Sequence, residues 1–298
     1  MRSSAPYAKR DLLLRIVYLA MASTWWFCSG FGLLIRTRVV TLCYHGVTDG
    51  EKDRFRWQME LIAGRAITTG DLDKVTTGAV GPPRVCVTFD DAFANLLGNA
   101  LPVTTELGIP ATVFAVTENL GSRPRWQIAP DHPDARESTM TADQIRAAAR
   151  NGLITFGSHG ATHRPLAGLP AVDVERELVG SREVLEEIVG GGVEDFAFPH
   201  GECDAGSLEP LFDAGYRRLF TLDPSIGSGD GPCRLIGRMP MSPQAWEIEF
   251  RLTAAGAYEW LPHLRKVARR IRARRRRPAR AADPEVPAMK TPVTGCRM

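Results

Sequence analysis

Short apolar runs alternate with helical patterns between residues 39 and 241, and this alternation constrains the fold more than any other feature of the sequence. Apolar runs of four to eight residues that contain β-branched side chains are typical of strands buried on both faces. Alternating strands and helices predict an α/β fold with a mainly parallel sheet, either a barrel or a doubly wound sheet. The predicted strands are Val39–Tyr44, Val85–Phe89, Ala111–Val116, Leu153–Phe156, Phe196–Phe198, Arg217–Leu222 and Leu235–Met241.

The segments between these strands contain recognisable helix signals. Thr141 and Gln144 have the spacing of a capping box, which predicts that a helix begins after Thr141. Further helices are predicted over residues 92–107, with a break near Pro102, and over residues 171–189. Residues 117–140 instead form a long proline- and glycine-containing loop, a length that is typical of functional or disordered segments.

Polar residues with catalytic or ligating chemistry follow several of the predicted strands. Ligands bind at the carboxyl ends of the strands in both parallel α/β architectures, so these side chains are expected at one rim. The candidates are His45, Asp90 and Asp91, His159 with His163, His200, and Arg238 within the last strand.

His159 and His163 have metal-ligand spacing. They share a face if the chain turns helically after its strand, and two imidazoles and one carboxylate can hold a divalent ion with open positions. Such an ion lowers the pKa of bound water, and a second carboxylate can then act as the base. Taken alone, an Asp-Asp pair is also typical of a helix cap, and a histidine pair of a structural contact.

Four segments in the same order resemble the polysaccharide deacetylases, also known as the NodB-homology family or family-4 carbohydrate esterases. Val87–Asp91 (VTFDD) resembles their T-F-D-D-G motif, and residues 158–163 (SHGATH) resemble the H-[S/T]-x-x-H element with one extra residue between the histidines. Residues 196–201 (FAFPHG) are similar to the third motif, F-x-Y-P-Y-G, and residues 44–47 (YHGV) to an opening Y-H-x-V.

The resemblance implies a distorted (β/α) barrel and a metal-dependent hydrolase that removes N-acetyl or O-acetyl groups from a polysaccharide or a lipid-linked sugar. It implies that Asp91, His159 and His163 bind a divalent metal ion, with zinc favoured. It also implies that Asp90 is the general base and that the backbone N–H of His200 stabilises the oxyanion.

This sequence departs from the family pattern at three places. Ala92 replaces the motif glycine. Ala197 stands where many members carry an arginine that orients the base, and Arg238 is the candidate substitute, because a nearby cation keeps Asp90 ionised. The alternative for Arg238 is an ordinary surface ion pair.

The third departure concerns the catalytic acid. Many members carry an L-x-H motif after the last strand, and Leu261-Pro262-His263 matches that string, although it lies in a predicted helix. His45 and His200 are the alternative acids, and each can equally be a structural histidine.

The two ends of the chain differ from its centre. Residues 16–35 carry no charge over about the length that spans a bilayer, so this hydrophobic segment is expected to cross a membrane, to lie in its interface or to pack on the domain. Residues 265–280 hold ten basic residues and no acidic one, whereas residues 1–264 are net acidic. The basic segment is expected as a helix or tail that contacts an anionic leaflet or is merely solvated, and specific nucleic-acid binding is not indicated.

Three regions follow: a membrane-associated segment over residues 1–36, a catalytic domain over 37–264 and a largely disordered basic tail over 265–298. The predicted location is membrane-associated, with a cytoplasmic one as the alternative. The six cysteines form no C-x-x-C pair, so the sequence indicates neither a disulfide scaffold nor a cysteine zinc finger.

Two other functions fit the same residues. One is a related amide hydrolase that acts on a small cyclic amide. The other is a membrane-associated carbohydrate-binding protein with a decayed site, which the missing arginine and the unassigned acid favour. A non-haem iron oxygenase uses the same ligand types but has no need of Asp90.

Overall fold

Parallel strands with almost wholly buried side chains form the centre of the computed structural model. It describes residues 9–29, 39–75, 82–129, 132–201, 203, 208–223 and 234–261. Every strand pairing in the sheet is parallel, as the apolar runs predict. The strands are β1 (Val39–Tyr44), β2 (Ala66–Ile67), β3 (Arg84–Phe89), β4 (Ala111–Ala115), β5 (Ile154–Ser158), β6 (Asp195–Ala197), β7 (Arg218–Thr221), β8 (Arg234–Gly237) and β9 (Met239–Pro240).

The sheet curls into a nearly closed barrel. Its strand order is β8-β7-β6-β5-β4-β3-β1-β9, and β2 pairs with β3 beside this path. β8 pairs with β7 at one end of the path and β9 pairs with β1 at the other, yet Arg238 alone separates β8 from β9 along the chain. The segment predicted as a single strand, Leu235–Met241, is therefore interrupted at Arg238, and this segment brings the two ends of the sheet together.

Helices connect the strands and cover the outside of the barrel. They are α1 (Lys9–Cys28), α2 (Lys52–Glu60), α3 (Leu96–Asn99), α4 (Leu101–Glu106), α5 (Ala142–Ala149), α6 (Ala171–Glu175), α7 (Ser181–Val189), α8 (Leu208–Asp213) and α9 (Glu247–Ala254). The capping box is confirmed: Gln144 N–H donates to the Thr141 hydroxyl at 3.2 Å, and Thr141 N–H donates to the Gln144 side chain at 2.8 Å.

Two predicted helices are irregular. The break near Pro102 divides residues 92–107 into α3 and α4. The helix over 171–189 contains a π-helical turn, Arg176–Gly180, between α6 and α7. Because π-turns insert an extra residue, this turn changes which side chains face the barrel.

Apolar side chains fill the barrel, and a larger core lies between the strands and the helices. Phe114 of β4 and Phe220 of β7 meet inside the barrel with their ring centroids 5.1 Å apart. Ala197 of β6 and Ile236 of β8 join the same cluster. This packing closes the floor beneath the carboxyl ends of the strands.

The helix α1 packs against α9 by a narrow stripe. Ala22 is fully buried against Leu252 and Ala257, and Arg15 forms an ion pair with Glu249. Within the described residues, no helix is both long enough and apolar enough to cross a membrane. The region boundaries predicted at residues 36 and 264, and the basic segment 265–280, lie outside the described residues.

Candidate active site

The register of the strands brings the predicted site residues to one rim. Tyr44 of β1 is paired with Phe89 of β3, so His45 and Asp90 leave the sheet at the same level. The N–H of Asp90 continues this pairing and donates to the Tyr44 carbonyl at 2.9 Å. The N–H of His159 likewise donates to the carbonyl of Ala115, the last residue of β4, at 2.9 Å.

Asp91, His159 and His163 converge at this rim, and one potential ligand atom from each lies within 4.8 Å of the other two. The Asp91 Oδ1 is 3.4 Å from His163 Nε2 and 3.8 Å from His159 Nε2. All three residues are buried. The spacing of the histidines thus indicated their proximity correctly.

The predicted reason for that proximity was wrong, because the histidines lie on a loop after β5 and not on a helical turn. The backbone reverses at Gly160, with φ +83°, and at His163, with φ +63°. The side chain of Glu177 holds this loop, which we name the histidine loop (residues 159–163). Its Oε2 accepts from the N–H groups of Ala161 at 2.8 Å and Thr162 at 3.0 Å, and its Oε1 accepts from the Thr162 hydroxyl.

Glu177 was not identified from the sequence. It lies in the π-helical turn, is 1% exposed and has no motif around it. The acceptor oxygen also lies where a side chain on Gly160 would stand, 2.6 Å from the position of an added Cβ. A side chain at position 160 would therefore be strained by the left-handed backbone and would displace the Glu177 carboxylate.

The three ligand candidates fit a divalent metal ion. Among the described residues, none donates a hydrogen bond to Asp91 Oδ1, although this atom is buried. A buried carboxylate oxygen without a partner is costly unless a cation compensates it. The Nδ1 of His159 donates to the Ala197 carbonyl at 2.7 Å, which leaves Nε2 unprotonated in the neutral ring and available as a ligand.

Asp90 stands beside this cluster in a different environment. The Arg238 guanidinium donates from Nη1 to Oδ1 at 2.6 Å and from Nη2 to Oδ2 at 2.8 Å. The Cys43 thiol donates to Oδ2 at 3.2 Å. Arg238 is fully buried, 5.3 Å from the ring of Phe114, so it is not a surface ion pair.

The two adjacent carboxyl groups consequently differ in acidity. Burial alone would raise the pKa of Asp90, but the charge and the hydrogen bonds of Arg238 outweigh it and hold that pKa well below its usual value. Burial, together with the charge of Asp90, raises the pKa of Asp91. Burial lowers the pKa of His159 to about 4, so its imidazole is neutral at neutral pH, as a metal ligand must be.

Backbone strain is concentrated at the same rim. Among the described residues other than glycine, those with left-handed backbone are Asp91 (φ 67°), Ala92 (φ 48°), His163 (φ 63°) and His200 (φ 58°). Such conformations cost about 1–3 kcal/mol each and are typical of functional sites. The position of Ala92 explains why a glycine suits the corresponding place in the family motif.

The loop over residues 117–140 covers one side of the site. The Trp126 ring stacks on His163 at a centroid distance of 4.6 Å and an interplanar angle of 25°. The buried Asp134 accepts from the backbone of Gly46 and lies 3.4 Å from His132 Nδ1. An added Cβ on Gly46 would be 2.3 Å from Asp134 Oδ1, so the glycine after His45 is required for this contact.

His45 lies beside Asp91, and His200 lies beside His163. His45 Nε2 is 4.0 Å from Asp91 Oδ2, and the His200 ring meets the His163 ring edge-on at 4.7 Å. Burial lowers the pKa of His45, while the charges of Asp90 and Asp134 act in the opposite direction. His263, the third candidate for the acid, lies outside the described residues.

Comparison with known proteins agrees with this geometry. Residues 77–219 match the family model for polysaccharide deacetylases. YxkH of Bacillus subtilis, which is named after the same family, is 23% identical over 212 residues, covering 68% of this chain and 71% of the relative. The poly-β-1,6-N-acetyl-D-glucosamine N-deacetylase of Staphylococcus epidermidis is 23% identical over 214 residues. The alignment covers 68% of this chain and 70% of the Staphylococcus protein.

Solved structures share the fold. IcaB from Ammonifex degensii superposes with a TM-score of 0.59 at 23% identity, over 74% of this chain and 97% of that structure. The deacetylase PplD of Streptococcus pyogenes, solved in complex with acetate, also gives a TM-score of 0.59, at 17% identity over 74% of this chain and 99% of its own. The barrel is therefore of the NodB-homology type.

The barrel and its rim of two aspartates and two histidines resemble those expected of a hydrolase of the polysaccharide deacetylase type. Over the matched residues 77–219 the chain is similar to the polysaccharide deacetylases.

Proposed function

We propose that the protein is a metal-dependent deacetylase that removes N-acetyl groups from amino-sugar residues of a polysaccharide. The observation that carries the proposal is the convergence of Asp91, His159 and His163 beside an Asp90 that is held ionised by Arg238. The Staphylococcus epidermidis relative, named for a poly-N-acetylglucosamine substrate, supports an N-acetylglucosamine polymer as the first substrate to test.

Asp91, His159 and His163 would hold the metal ion, with zinc favoured by the two-imidazole, one-carboxylate donor set. When bound, a divalent ion supplies a Lewis acid for the acetyl carbonyl and increases the acidity of water.

Asp90 is proposed as the general base. Because Arg238 and Cys43 engage its oxygens, the carboxylate has a fixed orientation and stays ionised, ready to accept a proton from the attacking water. As that water attacks the acetyl carbon, the C–N bond breaks, acetate is released and the amine leaves with one added proton.

His45 is proposed as the group that delivers this proton. It lies beside Asp91 and lines the same pocket as Trp126 and His132 of the covering loop. Since burial keeps His45 neutral at rest, it must first take up a proton from solvent, and the charges of Asp90 and Asp134 favour the resulting imidazolium. Asp90 returns the proton that it accepted from water to solvent after acetate leaves, which balances the cycle. The backbone N–H of His200 is proposed as the donor to the developing oxyanion.

Trp126 is proposed to form one wall of the sugar site. Its ring is half-buried and stacked on His163, at the edge of a pocket that His45, Asp91 and His200 also line. An aromatic face next to the reacting group suits the apolar face of a sugar ring.

Arg238 removes one argument for the alternative function, a carbohydrate-binding protein with a decayed active site. The arginine missing at Ala197 is replaced by a guanidinium that reaches the same base from the last barrel segment. A small cyclic amide and a lipid-linked acetylated sugar are therefore included among the substrates to be tested.

The test is acetate release from N-acetylglucosamine oligomers, an O-acetylated glycan, a lipid-linked acetylated sugar and a small cyclic amide, with and without chelator. Asp90→Ala is expected to retain metal, measured by elemental analysis, and to lose acetate release. His163→Ala is expected to lose both, and the exposed Asp143→Ala to lose neither. Equal activity of Asp90→Ala and the wild-type protein would overturn the mechanism, and hydrolysis of the cyclic amide alone would overturn the substrate class.

A further inference from the structure

Exposed apolar side chains are concentrated on α1. Nine of the thirteen exposed large apolar side chains among the described residues lie on this one helix, outside the catalytic rim. They are Leu12, Leu13, Leu14, Ile16, Val17, Tyr18, Met21, Trp25 and Phe27. Single exposed apolar residues are normal on a soluble protein, but a contiguous apolar surface of this kind marks an interaction site.

These side chains are exposed although α1 packs against the domain. One stripe of α1 is anchored: Ala22 is buried against α9, Arg15 pairs with Glu249, and the indole N–H of Trp25 donates to Glu259 at 3.1 Å. Leu13, Ile16 and Val17, at positions i, i+3 and i+4, lie outside that stripe with exposures of 62%, 47% and 43%. The helix is therefore apolar on both its inner and its outer side.

Aromatic side chains adjoin this surface, and basic residues follow later in the sequence. Tyr18 of α1 meets Trp260 at a centroid distance of 6.0 Å, and Tyr258 and Trp260 pack beside the same helix. Amphipathic aromatic rings of this kind are enriched at membrane–water interfaces. The sequence then continues from Leu261 into residues 265–280, with ten basic residues and no acidic one.

An apolar surface in a chain that also carries ten basic residues over 265–280 matches the chemistry of an anionic bilayer surface, which offers hydrocarbon beneath negative headgroups.

We propose that the outer side of α1 docks onto the surface of an anionic lipid bilayer, with the basic segment 265–280 binding its headgroups. This surface is independent of the active site. If the protein does not bind vesicles, the catalytic proposal still stands. If the protein releases no acetate, the docking proposal still stands.

The test is cosedimentation of the full chain with vesicles of phosphatidylcholine, alone or mixed with phosphatidylglycerol. The wild-type protein is expected to bind the mixed vesicles and to bind the neutral vesicles at least about tenfold more weakly. The triple variant Leu13→Gln/Ile16→Gln/Val17→Gln keeps helix-forming residues and is expected to lose at least about tenfold of the binding to mixed vesicles.

Two further variants isolate the causes. Val172→Gln/Val184→Gln/Phe212→Gln removes as many exposed apolar side chains from other helices and is expected to bind within about twofold of wild type. Replacing Arg274–Arg277 by glutamine is expected to abolish the preference for anionic vesicles. All variants are expected to keep wild-type acetate release from a soluble substrate, which also verifies that they fold.

Three outcomes would overturn the proposal. One is unchanged vesicle binding by the α1 variant. Another is equal binding of the wild-type protein to neutral and anionic vesicles. The third is that the wild-type protein is a dimer in sedimentation equilibrium and binds no vesicles, while the α1 variant is a monomer. A second copy of the chain would then cover this face.

Discussion

Arg238 donates two hydrogen bonds to the carboxylate of Asp90, at 2.6 and 2.8 Å, in a fully buried ion pair between residues 148 positions apart. The guanidinium geometry matches a carboxylate, so this pairing fixes the orientation of Asp90 as well as its charge. The fork depends on closure of the barrel, since Arg238 interrupts the segment that joins β7 to β1.

Replacing Arg238 should affect both stability and acidity. Arg238→Met leaves a buried carboxylate without its partner, which should lower the free energy of unfolding by about 3–5 kcal/mol. The pKa of Asp90 is held low by this cation, so without it burial raises that pKa, and the acid limb of the kcat profile should move to higher pH. Denaturant unfolding and the pH dependence of acetate release measure the two effects.

The matched control is Arg218→Met. Arg218 forms a buried ion pair with Asp195, at 2.5 Å, at the amino ends of β7 and β6 and so at the opposite end of the barrel. It should lose stability to a similar extent without moving the acid limb. An unmoved limb in Arg238→Met would contradict the role assigned to the pair.

Glu177 should influence metal affinity through the histidine loop. Glu177→Gln weakens the charge-assisted acceptance from Ala161, Thr162 and the Thr162 hydroxyl, and we expect metal affinity to fall by about tenfold or more. At saturating metal, kcat should stay close to wild type, because Glu177 acts only by positioning. Competition with a chromophoric chelator measures the affinity, and the exposed Glu175→Gln on α6 should leave it unchanged.

Ala92 should tolerate glycine unusually well. Glycine adopts the left-handed backbone without strain, which should raise the free energy of unfolding by about 1–2 kcal/mol. The loss of a buried methyl group and the greater entropy of glycine in the unfolded chain should lower it by a similar amount. Ala92→Gly should therefore be near neutral in unfolding experiments. Ala147→Gly, on an exposed face of α5, should cost about 1 kcal/mol, and an equal loss at the two positions would argue against strain at Ala92.

Removal of metal should lower the thermal stability of the protein. Saturation at about 100 times the Kd contributes roughly 2.7 kcal/mol, equivalent to roughly 5–10 °C in Tm for a domain of this size. Zinc added back after dialysis against a chelator should restore the Tm of the wild-type protein and of His132→Ala, whose ring faces Asp134. It should not restore that of His163→Ala, and a metal-independent Tm in the wild type would rule out binding at this site.

The positions of the strands could be predicted from the sequence because burial on both faces requires continuous apolar runs. Asp90 directly follows its predicted run and His159 lies three residues beyond Phe156, so both could be predicted as candidates for one site, since parallel strands end at one rim. The capping box at Thr141 was visible because it depends only on residues three apart.

Contacts between distant segments could not be predicted in the same way. The histidines approach each other because Gly160 and His163 in the loop between them have left-handed backbone. Glu177 holds this loop by hydrogen bonds and lies in a π-helical turn. Asp134 reaches Gly46 across a long loop whose path no periodic pattern specifies.

The amino-acid sequence by itself determined which residues form strands and which polar groups stand at their ends, because local periodicity and burial act over a few residues. Only the tertiary structure decided that Arg238 turns inward to Asp90, that Glu177 supports the histidine loop and that, among the described residues, the apolar side chains on the outer side of α1 are exposed. Each of these depends on where barrel closure and helix packing bring groups far apart along the chain, a distance over which sequence spacing carries no geometric information.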